Sequence, residues 1–193
     1  MALALPLVLG LALSPLIGGS LSRLGRLDLK GIPLLYVAIC LQLVAFPVHE
    51  GLWQTPDEIA IALWLASYAC LIAATFKNIK LRGIPLIGAG IAANLAAIIA
   101  NGGHMPALPR ALEAAGLHFQ VHQNSTLDAA PHLALLVDRF AAPSWIPLAN
   151  VYSLGDVAIA IGAFTFALAA TGALNLRLLR CPRAAPEVES TSA

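Results

Sequence analysis

Five side chains have the types and placement to do chemistry together: Asn94, Asn101, His104, Asp138 and Asp156. Two carboxyl groups, an imidazole and two amides supply the donors and acceptors that proton transfer or the holding of a polar ligand requires. Asn94 and Asn101 are seven residues apart, which puts them near one face of a helix and about 10 Å apart along its axis. Each residue also has a structural use. Amides inside an apolar helix join neighbouring helices, here through Gln42 or Tyr68, and Ser153-Leu154-Gly155-Asp156 has the hydroxyl and carboxylate spacing of a capping box. The structural uses account for these residues without a reaction, so the five form a candidate polar cluster with no catalytic residue assigned. Asn94, Asn101 and Asp156 are expected to share hydrogen bonds.

Metal chemistry would have to come from histidine. His104, His118, His122 and His132 lie in one segment with His49 on the same side, and a site needs three or four converging ligands. His118 and His122 have the i, i+4 spacing that suits a helix. The run Leu117-His118-Phe119-Gln120-Val121-His122 alternates apolar and polar, however, and in a strand those rings stand about 13 Å apart. No metal and no cofactor is therefore expected. Cys40 and Cys70 fall in apolar stretches and Cys181 beyond them, without a C-x-x-C pair. The G-x-S-x-G, H-E-x-x-H and phosphate-binding glycine patterns are absent from the sequence.

The elements that position these residues are apolar helices. With 59% hydrophobic and 11% charged residues, a water-soluble fold of 193 residues would lack the polar surface to cover itself. Apolar stretches run over Ala2–Gly19, Ile32–Val48, Ile59–Phe76, Ile84–Ala100 and Val151–Leu176, each near the length that crosses a bilayer. Nine of the eleven Lys and Arg residues lie at one end of these stretches: Arg23, Arg26, Lys30, then Lys77, Lys80, Arg82, then Arg177, Arg180 and Arg183. Basic connections stay in the cytoplasm. The expectation is an all-α membrane protein of five transmembrane helices, with the N-terminus outside and the C-terminus cytoplasmic. Scattered basic residues at helix ends exclude a nucleic-acid surface.

Capping chemistry marks the element ends. Thr55-Pro56-Asp57-Glu58 offers a hydroxyl cap, a proline at the first helical position and a carboxylate in the first turn. Asn101-Gly102-Gly103 has the types that close a helix in a left-handed turn. Small residues (Gly88, Ala92, Ala96; Ala89, Ala93, Ala97; Ala158, Gly162) predict close packing of the fourth and fifth helices. Trp64, Tyr68 and Phe76 put lipid or a partner against at least one face of the third. Residues 1–181 form one five-helix domain, with residues 101–150 as an external cap between helices four and five and residues 182–193 as a disordered cytoplasmic tail. Within the cap, Pro109 to Ala115 reads as a short helix.

Three motifs carry a resemblance. Gly18-Gly19-Ser20-Leu21 with the basic run after it, Asn101-Gly102-Gly103-His104-Met105-Pro106 (N-G-G-x-M-P) and Ser153-Leu154-Gly155-Asp156 (S-x-G-D) resemble, over nearly the whole chain, an uncharacterised family of small bacterial integral-membrane proteins, a domain of unknown function. The resemblance implies a multi-pass protein of the bacterial plasma (inner) membrane and supplies no activity. The role expected is a non-enzymatic membrane subunit or binding module, with the lipid bilayer and a membrane-protein partner or second copy as its partners. The competing expectation is a small transporter or membrane-embedded enzyme with its polar site at the outer face.

Overall fold

Prolines and glycines cut the apolar sequence into helices. The computed structural model describes residues 4–47, 53–116, 125–142 and 151–174. α1 is Leu5–Leu13 and tightens into a 3-10 turn over Ser14–Ile17, where Pro15 cannot continue the α-helical ladder. A second 3-10 segment, Leu21–Arg26, precedes α2 at Ile32–Ala45. α3 is Asp57–Lys77, α4 is Ile84–Ala100 and α6 is Leu154–Ala170. α2 and α4 each start after a left-handed glycine, Gly31 (φ 76°) and Gly83 (φ 89°), with a proline in the first turn. The protein is mostly helical, and apolar helical segments occupy the five expected stretches. Among the described residues only α3, with 21 residues or roughly 31 Å, is long and apolar enough to cross a membrane by itself.

Several boundaries differ from the sequence expectation: α2 stops at Ala45, α3 is Asp57–Lys77, and α6 ends at Ala170 instead of continuing to Leu176. Thr55 does not cap α3: its hydroxyl donates to the carbonyl of Val44 (2.7 Å), as does the Trp53 indole (3.1 Å), so both tie the start of α3 to the end of α2. Val151 and Tyr152 belong to a strand, and α6 begins only after its Ser153 cap. The left-handed closure of α4 is as expected, with Gly102 at φ 70°, Gly103 at φ 94° and the Gly103 amide on the Ile98 carbonyl at 2.9 Å.

The helices pack as a row, α2 on α3, α3 on α4, α4 on α6 and α6 on α1. The α4 and α6 backbones touch. A methyl group at Gly90 would lie 2.8 Å from Ile159, and one at Gly162 2.8 Å from the Gly83 carbonyl. Gly88 faces Thr75 of α3 (3.2 Å), so α4 is approached closely from two sides. Of the α3 aromatics, Trp64 packs inside, with Phe46 edge-on at 5.2 Å and Tyr68 at 5.9 Å, while Phe76 remains exposed.

The segment between α4 and α6 adds short strands to the expected all-α architecture. β1 (Met105–Ala107) pairs in parallel with β2 (Ser125–Leu127), Met105 opposite Ser125 and Ala107 opposite Leu127. β3 (Phe140–Ala141) pairs antiparallel with β4 (Val151–Tyr152). All three β1 residues are buried, so its sequence lacks the alternation that reveals a strand. The short helix α5 is Pro109–Ala114, with Ala111 and Ala115 packed on Val151. Val137, Met105, Ile98, Ala97 and Trp64 form one apolar core, which seats this segment on the ends of α3 and α4. His49, His118, His122 and the tail 182–193 lie outside the described residues.

Candidate functional site

The start of α6 is fixed by its own side chains. The Ser153 hydroxyl accepts from the Asp156 amide (2.9 Å) and the Asp156 carboxylate accepts from the Ser153 amide (3.0 Å), completing the capping box the spacing predicts. Asn94 then closes a ring across two helices. Its Nδ2 donates to the other carboxylate oxygen of Asp156 (2.8 Å), and its Oδ1 accepts from the Ser153 hydroxyl (2.8 Å). Asn94 is 6% exposed and Ser153 fully buried, so each leaves water only because these partners replace it. Gly155 makes the approach possible, since a methyl group there would collide with the Asn94 carbonyl oxygen.

Asn101 does not join this ring. Its Nδ2 donates to the carbonyl of Ala97 (2.8 Å) and to that of His132 (2.9 Å), and its Oδ1 accepts from the His132 amide (2.9 Å). The amide thus mimics a peptide group and clamps the 132 turn to the end of α4. Asn78, at the end of α3, repeats the device, its side chain bonding both the amide (2.9 Å) and the carbonyl (2.7 Å) of Lys30. Both asparagines follow the last helical residue, where unpaired carbonyls and a crossing chain are within reach of a short amide. Gln42 does join two helices, by donating to Ser67 of α3 (3.0 Å) rather than to either asparagine.

Asp138 is placed by backbone pairing. Its amide donates to Pro106 (3.0 Å) and its carbonyl accepts from Leu108 (2.9 Å), an extension of β1 that leaves the half-buried carboxyl within electrostatic reach of Asp156. Burial and then the charge of Asp156 raise its pKa to about 7. The Tyr152 phenol is pushed up for the same two reasons. Tyr68 lies within electrostatic reach of both carboxyl groups, so two tyrosines and two acids share one region at the α6 start. His104, half-buried after Gly103, is tied to neither acid by a hydrogen bond among the described residues.

The five candidates therefore divide into a ring at Asn94 and Asp156, an acid beside it at Asp138, and a separate clamp at Asn101, with His104 apart. Sequence reasoning missed Tyr68 and Tyr152 as neighbours of the acids, and Ser153 as the partner of Asn94. The capping box was a signal for Ser153; nothing in the spacing of Tyr68 points across the fold. Among the described residues no three His, Cys, Asp or Glu side chains converge as metal ligands would.

Comparison with known proteins bears on the family alone. No curated protein and no solved structure matches the chain. A family model described as a family of unknown function (DUF5317) matches residues 26–168, from the end of the second 3-10 segment through nearly all of α6. That span includes the ring, the acid and the clamp, and the chain belongs to this family of unknown function.

Proposed function

We propose that the protein is a multi-pass membrane protein of the bacterial plasma membrane. It crosses five times with the N-terminus outside, and serves as a non-enzymatic subunit or binding module whose cap lies on the outer face. The observation that carries the membrane setting is the surface of the helices. α2 buries only Ala38 and Ala45, while Tyr36, Val37, Ile39, Leu43 and Val44 point outward; Leu5, Val8, Leu9 and Leu13 of α1 do the same. Water would penalise such faces, whereas lipid solvates them. Helices shorter than α3 are accommodated by local thinning of the bilayer.

The subunit reading is supported by what the polar side chains do. Asn94, Ser153 and Asp156 satisfy one another, and Asn101 holds a turn, so both are joints of the scaffold. The competing reading, a small transporter or membrane-embedded enzyme, is favoured by Asp138, a half-buried acid that exchanges its proton near neutral pH. Purification of the full-length protein in a mild detergent, with particle mass by light scattering and mass spectrometry of what is retained, separates the two. The expected result is a stoichiometric protein partner or a second copy. A monomer holding a small polar molecule that is lost on Asp138→Asn would replace the subunit reading with the competing one.

A further inference from the structure

A cavity of about 340 Å³ opens at the opposite end of the helices from the Asn94 ring, between the turn joining α3 to α4 and the last turns of α6. Lys80 and Arg82 line it together with Leu81, and Phe166, Ala169, Ala170 and Leu174 supply most of the remaining, apolar lining. The neighbouring cations are engaged elsewhere: the Arg23 guanidinium lies over Gly172, and the Lys77 stem packs on Gly31, 2.9 Å from where a methyl group on that glycine would lie. Lys80 and Arg82 are exposed and form no ion pair among the described residues. α4 starts at Ile84, one residue beyond Arg82 across the Gly83 cap, so its N-terminus adds positive potential near the two side chains.

Two cations and a largely apolar lining in one cavity match an amphipathic anion. We infer that this cavity binds an anionic phospholipid, with the headgroup phosphate held by Lys80 and Arg82 and an acyl chain lying on Phe166, Ala169 and Ala170. The inference rests on the membrane reading, which places this end at the cytoplasmic leaflet, where anionic lipids meet basic residues. The planar Arg82 guanidinium suits two phosphate oxygens at once, and Lys80 adds a point charge. A free phosphate ion would share the charge complementarity and leave the apolar lining uncovered.

The test uses full-length protein in mild detergent, titrated by native mass spectrometry with short-chain phosphatidylglycerol, short-chain phosphatidylcholine or inorganic phosphate. Phosphatidylglycerol should bind at least roughly tenfold more tightly than phosphatidylcholine, and K80Q/R82Q should weaken it roughly 30-fold. Ala170→Phe, which fills the cavity and keeps both charges, should weaken it as well, while R110Q/R139Q, which removes two charges far from the cavity, should not. Equal binding of the two lipids, retention by K80Q/R82Q, or displacement of phosphatidylglycerol by millimolar inorganic phosphate would overturn the site. Carbonate extraction of membranes provides the separate arm. Release of the protein overturns the membrane reading and the lipid site with it; retention without a phosphatidylglycerol preference overturns the site alone.

Discussion

Burial and the Asp156 carboxylate together oppose ionisation of Asp138, and its pKa rises to about 7. An unfolded aspartate titrates near ~3.9, so between about pH 4 and 7 the folded chain holds a proton that the unfolded chain has released. The stability that Asp138 contributes is therefore fully present below about pH 4 and lost as pH rises through about 7. Thermal unfolding in detergent at a series of pH values, wild type against Asp138→Asn, measures this directly. The variant should gain on the wild type steadily across that window and level off above it. Parallel curves would mean that Asp138 is solvated and that Asp156 does not reach it. Asn94 illustrates the opposite case, a buried polar group with no charge to lose, whose donor and acceptor are both satisfied inside the fold.

At the scale of elements, the contact of α4 with α6 decides the geometry of the polar ring. Their backbones meet at Gly90 and Gly155, and the Asn94 side chain fills the space that any Cβ on Gly155 would claim. Gly155→Ala should separate the helices or break the Asn94 bonds, at a cost of about 1–3 kcal/mol typical of overpacking. Gly25→Ala, where nothing lies within 4 Å, is the comparison and should be close to neutral. Unfolding in detergent monitored by circular dichroism reads both. Equal effects of the two substitutions would remove the argument that the ring depends on backbone contact. The asparagines at the ends of α3 and α4 work at this scale too, since each ties a helix end to a chain segment distant in sequence.

The whole molecule combines a row of apolar helices with a mixed cap at one end and basic residues at the other. If the row spans a bilayer as proposed, single cysteines at Arg110 or Ala129, in a chain freed of Cys40, Cys70 and Cys181, should react with an impermeant thiol reagent on intact cells. Cysteines at Ser22 or Lys80 should react only after permeabilisation. Labelling with the two sets exchanged would invert the orientation, and labelling of neither Ser22 nor Lys80 after permeabilisation would place both ends away from the aqueous cytoplasm.

The sequence by itself determined the helices, because their signals are local. Apolar runs, the prolines at positions 33 and 85, the Gly102-Gly103 closure and the Ser153 to Asp156 capping box all act within a few residues of where they are read, and α4 begins and ends where the pattern says. Thr55 shows the limit of that locality. Its hydroxyl could accept from an amide of the helix it precedes, but it donates to the Val44 carbonyl at the end of α2 and makes no cap bond. Which amide meets which acid was decided only by the tertiary structure. Asn94 and Asp156 are 62 residues apart, and their contact requires two glycine faces to touch, while the same residue type at position 101 instead found the 132 backbone. The raised pKa of Asp138 has the same origin: β1 pairing carries it out of water and toward a second carboxylate, a field that exists only once distant segments pack together.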